Sequence, residues 1–188
     1  MAELVSQEGT RMTVKVFRCR ICGDPYIGTE APSRCPFCGA KAEYFVDAHD
    51  WNPNEFNVDI SDISRKNLEA ALQLELGNAA FYLCAMNQAK SARDDYMEAK
   101  FKALRNVEFE HASAICKFLK MTVPVLEQGR CGADFADNSK EGHQREDKAI
   151  KSYARFRDEA VEPRLKEFFN ALVEIETDHL GLHAADSH

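Results

Sequence analysis

No stretch of this chain approaches the roughly 20 consecutive apolar residues that a membrane-spanning helix needs, so a helical membrane protein is excluded from the readings below. Positive charge is in deficit. The chain carries 24 Lys and Arg against 31 Asp and Glu, a formal net charge of −7. A role in binding nucleic acid therefore has no electrostatic support. Met1–Gly9 is polar and lacks the apolar core of a secretory signal, so a cytoplasmic protein is expected. Length is limited too: 188 residues hold one small domain and one of medium size.

Against these absences stands a doubled pattern of carboxylates, phenols and imidazoles. Glu75 is followed at seven residues by Tyr82, and Glu108 at three residues by His111. The same order and spacing return with Glu146 and Tyr153, then with Glu176 and His179. Each instance lies in a stretch that reads as helix. Seven residues bring a helix back to nearly the same face, and three bring it to a neighbouring position on that face. The flanks place these residues on apolar stripes: Leu72 and Ala79 around Glu75, Leu104, Ala112 and Ile115 around Glu108, Ala149 and Ile150 after Glu146, and Leu172, Val173 and Leu180 around Glu176. Burying isolated carboxylates is too costly to go uncompensated, and a metal cluster supplies the compensation. Four helices that point four Glu and two His at one interior spot match the dinuclear iron or manganese sites of ferritin-like bundles.

A second metal signature precedes the first. Cys19-x2-Cys22 and Cys35-x2-Cys38 stand twelve residues apart. Four thiolates at such spacing form two knuckles that close a tetrahedral site. Gly23 and Gly39 follow the knuckles and suit tight turns that aim backbone N–H groups at sulfur, and Pro36 stiffens the second. The spacing alone fits zinc as well as iron. The dinuclear site turns the preference to iron, because a redox site needs an electron source.

The segment from Phe17 to Gly39, FRCRICGDPYIGTEAPSRCPFCG, resembles the short rubredoxin-like domain of rubrerythrins, and the remainder resembles their ferritin-like diiron domain. The resemblance covers roughly residues 15–182. The cysteine domain comes first, as in the reverse rubrerythrins. The family implies a non-haem diiron peroxidase that reduces hydrogen peroxide to water with electrons relayed through the four-cysteine iron, supplied by an external donor protein. It also implies head-to-tail homodimers. One departure stands out. The commoner rubrerythrins carry a second carboxylate three residues beyond the first on the third helix, where it takes part in a redox-linked ligand switch. Here Ala149 occupies that place, and His143, three residues before Glu146, is a substitute to consider.

The expected fold is therefore an all-α ferritin-like four-helix bundle with a small N-terminal rubredoxin-like metal domain. The expected division is a mobile arm over 1–13, the metal domain over 14–48, a linker over 49–60 and the bundle over 61–183. Trp51 and Phe56 imply a linker that packs against something. The first helix is expected from Ser61 or Asp62 to Ser91, the second over 93–120, the third over 139–159, and the fourth from Pro163 to Leu182. Short joints near residues 92 and 162 make two hairpins, and the stretch 122–138, with Pro124, Gly129 and Gly132, serves as the long crossover.

Within the site, symmetry and resemblance make Glu108 and Glu176 bridging ligands and Glu75 and Glu146 terminal ones, with His111 and His179 as nitrogen ligands. Tyr82 and Tyr153 are the candidate catalytic residues, placed to reach and orient the carboxylates. Core filling is the bland alternative for both. His183, one turn beyond His179, reads as surface or as a support to the ligands; His49 and His188 carry no case. Cys84 and Cys116 read as buried helix packing, Cys131 as a loop thiol open to reaction, and a reducing cytoplasm fits all seven cysteines. Helix lengths make it difficult for the cysteine iron to reach its own chain's bundle site; the linker is long enough to lay the domain along a bundle flank, its own or a neighbour's, and a dimer that exchanges relays is expected. Three functions remain open: a peroxide-reducing enzyme, a ferritin-like iron oxidase using dioxygen, and a non-enzymatic metal-binding or electron-carrying protein with zinc at the cysteines.

Overall fold

Residues 13–185 are described by the structure, a computed structural model. The expected N-terminal arm lies almost wholly outside them, as does His188. The chain opens on three short strands, β1 Lys15–Cys19, β2 Pro25–Gly28 and β3 Phe45–Asp47. They form an antiparallel sheet in the order β2-β1-β3, with Phe17 opposite both Tyr26 and Asp47. The two knuckles hang from its ends. Gly23 and Gly39 adopt φ of 88° and 79°, a region that favours glycine because it has no Cβ. Their N–H groups bond back to the carbonyls of Cys19 and Cys35 at 2.7 and 2.9 Å.

Four long helices follow: α1 Asp62–Ala92, α2 Asp95–Leu119, α3 Phe135–Glu159 and α4 Pro163–Ala185. Side chains of Ser61, Asp94 and Asp134 cap the first three by accepting from Ser64, Met97 and Asp137 backbone N–H. Arg93 and Lys120 turn left-handed to end α1 and α2. The third helix starts four residues before the expected Ser139, because Asp134 is the cap and Ser139 lies inside the helix. The crossover is correspondingly shorter. Hairpins α1–α2 and α3–α4 pack side by side, with α1 also against α3. Among the described residues no helix is long and apolar enough to cross a membrane.

The small domain and the bundle share one core. Cys19, Ile21, Cys22, Cys35, Cys38 and Tyr44 belong to the same buried cluster as Ile115, Phe118, Phe168 and Ile175. The segment between the domains packs as expected from its aromatics. Phe56 meets Phe118 at 5.0 Å between ring centroids, and Trp51 lies under the guanidinium of Arg18 at 3.9 Å. Ion pairs rim this seam. Arg20 reaches Glu55 and Glu167 at 2.8 Å each, Arg164 reaches Glu55 at 2.9 Å, Lys41 reaches Glu174 at 3.1 Å, and Arg34 reaches Asp178 at 2.7 Å. The domain thus sits on the α2–α4 face of its own bundle. Of the two flanks within the linker's reach, its own and a neighbour's, the domain of this single chain lies on its own.

Candidate metal centres

In the small domain the sulfurs of Cys19, Cys22, Cys35 and Cys38 all lie within 4.8 Å of one another. The pairs Cys19–Cys38 and Cys22–Cys35 are 3.7 and 3.8 Å apart. A tetrahedron with metal–sulfur bonds of about 2.3 Å has edges of about 3.8 Å, so the four thiolates are set for one tetrahedral ion. Asp24 N–H points at Cys22 Sγ at 3.5 Å, one instance of the backbone support that the turn glycines foreshadow.

In the bundle the four Glu and two His of the doubled pattern arrive at one place, one or two from each helix. Glu75, Glu108, His111 and Glu176 form one group of converging donors, and Glu108, Glu146, Glu176 and His179 form another. Glu108 and Glu176 are common to both. Each histidine turns Nδ1 inward: His111 to Glu176 at 3.2 Å and Glu75 at 3.4 Å, His179 to Glu176 at 2.8 Å and Glu108 at 3.2 Å. The two rings face each other 6.4 Å apart, only 19° from parallel. All four carboxylates are fully buried.

Several of their oxygens find no hydrogen-bond partner among the described residues: both of Glu108, Oε2 of Glu75 and of Glu146, and Oε1 of Glu176. Buried carboxylate oxygens left this way are costly. Two cations between the shared pair of glutamates would satisfy them, so the donor set fits a dinuclear metal site. The electrostatics agree. Burial, reinforced by Glu108 and Glu176, pushes Glu75 and Glu146 above the usual carboxylate range. Burial also raises Glu176, but His179 and His111 outweigh it and hold that carboxyl below its ordinary value. Without an added positive charge these groups cannot all ionise together.

The tyrosines bond across the bundle and not along their own helices. Tyr82 of α1 donates to Glu146 of α3, and Tyr153 of α3 donates to Glu75 of α1, the latter at 2.5 Å. Spacing along one helix predicts the shared level, but not the exchange. His183 is buried, contrary to a surface reading, and its Nε2 lies 2.8 Å from the Tyr82 hydroxyl. Gly142 leaves room for its ring: a Cβ there would fall 2.4 Å from Cε1. Its position four residues beyond His179 was the available signal. His143 is exposed and belongs to neither group of donors, and Ala149 is fully buried without any acid in its place.

One contact joins the two centres. His111 Nε2 lies 2.9 Å from the backbone carbonyl of Cys38. The carbonyl can only accept, so Nε2 carries the proton and Nδ1 is left as the inward lone pair.

The family descriptions "Rubrerythrin, rubredoxin-like domain" and "Rubrerythrin" match residues 17–46 and 66–185 respectively. The chain belongs to the rubrerythrin family. It is 30% identical over 121 residues to Reverse rubrerythrin-1 of Clostridium acetobutylicum, an alignment that takes in 60% of this chain and 65% of that protein. The chain therefore spans just under two thirds of that relative's length. No solved structure matches it. Membership and both donor sets together make iron the cofactor of this rubrerythrin and make it a redox protein.

The cysteines bring a correction. Cys116 is buried and unpaired, as expected, but Cys84 and Cys131 form a disulfide. The sequence reading kept them apart because it could not see the crossover fold back along α1.

Proposed function

We propose that this rubrerythrin reduces hydrogen peroxide to water at the carboxylate–imidazole site, with electrons entering through the four-cysteine site. The observation that supports the reading is the hydrogen bond from His111 to the Cys38 carbonyl, which links the four-cysteine set directly to the carboxylate–imidazole set. In this reading Cys19, Cys22, Cys35 and Cys38 hold one iron. Glu75 and His111 would help hold a second iron and Glu146 and His179 a third, with Glu108 and Glu176 common to both sets. Those residues would hold iron that, when bound, would supply electrons and Lewis acidity for reducing an oxygen–oxygen bond.

The chain's own residues set the conditions. Tyr82 and Tyr153 fix the orientation of Glu146 and Glu75 through their hydroxyl hydrogen bonds. The Cys38 carbonyl fixes the tautomer of His111. The apolar surround, with Ala79, Ala112, Ala149 and Leu172 all buried, keeps bulk water from competing with a small substrate. An external electron-donor protein completes the cycle, and a homodimer is the expected assembly.

Stopped-flow mixing of the reduced, iron-loaded chain with peroxide, and separately with dioxygen, tests the assignment. Faster oxidation by peroxide is the expected result. Faster oxidation by dioxygen would replace it with an iron-oxidase function, and zinc at the cysteines with no turnover would replace it with a non-enzymatic role.

A further inference from the structure

Cys84 of α1 and Cys131 of the crossover are bonded across a sequence separation of 47, with Cα atoms 5.7 Å apart. Both residues are only partly buried, so the bond is open to small oxidants and to thiols. The crossover near Cys131 has no regular structure of its own. It lies along α1 through a short series of polar contacts: Gly129 N–H to Ala80 O at 3.0 Å, Asn87 Nδ2 to Gln128 Oε1 at 2.7 Å, and Gln88 Nε2 to Ala133 O at 2.9 Å. Gly129 approaches so closely that a Cβ would fall 3.1 Å from the Ala80 backbone. Cys131 itself rests on the cluster of Phe81, Tyr82 and Phe101. The disulfide is thus the one covalent clamp on a segment held otherwise by exposed or half-exposed hydrogen bonds.

The rest of the chain shows what surroundings this bond meets. Five other cysteines are free of disulfides, and four of them converge as a metal set that must be assembled from reduced thiols. Conditions that keep those thiols reduced also reduce an accessible disulfide by default. A Cys84–Cys131 bond in such surroundings forms when an oxidant arrives.

We propose that Cys84 and Cys131 are a reversible dithiol–disulfide site whose oxidant is a hydroperoxide, and that the bond clamps the crossover onto α1. One thiolate attacks a peroxide oxygen; the oxygen–oxygen bond breaks, sulfenic acid forms, and the leaving oxygen departs as water after taking a proton. The second thiol condenses with the sulfenic acid; the sulfur–sulfur bond forms and a second water leaves. Two thiols and one hydrogen peroxide become one disulfide and two waters. An external dithiol reverses the change by exchange. This site uses neither metal set, so it goes beyond the function proposed above. Its consequence lies close to the carboxylates. Gly132, beside the clamp, walls a cavity of about 590 Å³ whose lining includes Asn78 and Arg145, and these residues neighbour Glu75 and Glu146 along their helices. The state of the pair sets how firmly that wall is held.

The test uses the full iron-loaded chain with its irons oxidised. It is reduced at the thiols with a dithiol, freed of reductant, and given one equivalent of hydrogen peroxide. Alkylation in denaturant and peptide mass mapping should then recover Cys84 and Cys131 as one linked pair, with Cys116 still alkylated. Amide hydrogen exchange over residues 127–133 should slow by at least tenfold on oxidation. The Cys84→Ser chain should show the fast exchange with or without peroxide. The proposal is overturned if both thiols remain alkylatable after peroxide, if either passes to sulfinic acid without linking, or if exchange is the same in the two states. Slowing of exchange in Cys84→Ser would overturn it as well.

Discussion

Cys38 and His111 are joined by a 2.9 Å hydrogen bond from imidazole Nε2–H to the peptide carbonyl. Cys38 contributes its sulfur to the tetrahedral set, and His111 turns its other nitrogen towards Glu75 and Glu176. One hydrogen bond therefore spans the gap between the two donor sets of a single chain. Around it the seam is reinforced: Lys117 donates to the Cys22 carbonyl and Arg164 to the Arg20 carbonyl. Both cations hold backbone oxygens at or beside the first knuckle.

The hydrogen bond between His111 and the Cys38 carbonyl predicts that the proposed relay and reactor work within one chain. Mixing a Cys19→Ser chain with a Glu108→Ala chain should give no donor-coupled turnover above the background of either alone. This holds even when mixed dimers are verified by mass. Activity regained in those dimers would assign the working contact to the partner's domain.

Gly39 sits at the same seam, with φ of 79° and a position for Cβ 3.0 Å from Ile175 Cγ2. Alanine there meets both backbone strain and the neighbouring helix. Gly39→Ala should lower stability by about 1–2 kcal/mol in denaturant unfolding. It should also slow electron transfer from the cysteine site to the bundle, while the chemically reduced bundle reacts with peroxide at an unchanged rate. A change in both reactions would show that the seam also shapes the carboxylate site.

The residue-level chemistry was largely open to sequence reading, because each helix encodes its own face. Glu75 with Tyr82, and Glu108 with His111, had to share a side of their helices whatever surrounded them. Which helix lies opposite is not written in the spacing, so the exchange of tyrosines between Glu75 and Glu146 went unforeseen. The seat of the cysteine domain depended on a linker path set by Glu55, Phe56 and their distant partners Arg20, Arg164 and Phe118. The disulfide depended on where an irregular crossover runs. The start of α3 turned on a choice between two good caps, Asp134 and Ser139, which only the fold of the preceding loop decides.

Glu162 provides a pH-dependent element. Its carboxylate accepts from Ser61 N–H at 2.6 Å and from the Ser64 hydroxyl at 2.5 Å, so it caps α1 from the far hairpin. Burial opposes ionisation, but these hydrogen bonds prevail and lower the carboxyl to about 2. A group whose folded pKa lies below its unfolded one stabilises in full above the unfolded value, near 4.5. That stabilisation fades as pH falls towards the folded value. Glu162→Gln should cost about 1–2 kcal/mol at neutral pH. The difference between the two proteins should shrink as unfolding is measured from pH 5 down towards pH 2. An equal difference at every pH would remove Glu162 ionisation from the account.

Gly142 and His183 form a pair that can be tested as a pair. The imidazole occupies the space a side chain at 142 would need, with Cε1 2.4 Å and Nε2 2.6 Å from the Cβ position. On its other side the ring lies near Tyr82, with centroids 5.8 Å apart and planes 11° from parallel. It cannot retreat without disturbing a buried tyrosine that bonds Glu146. Gly142→Ala should therefore destabilise the iron-loaded chain by about 1–3 kcal/mol through overpacking. His183→Ala should itself be destabilising, since it empties a buried site. In the double variant the new methyl group enters that space and meets no ring. Its loss should fall short of the sum of the single losses by about 1 kcal/mol or more in urea unfolding. Strict additivity would mean that the imidazole swings clear of residue 142 at little cost, and that its seat against Tyr82 is not fixed by the glycine.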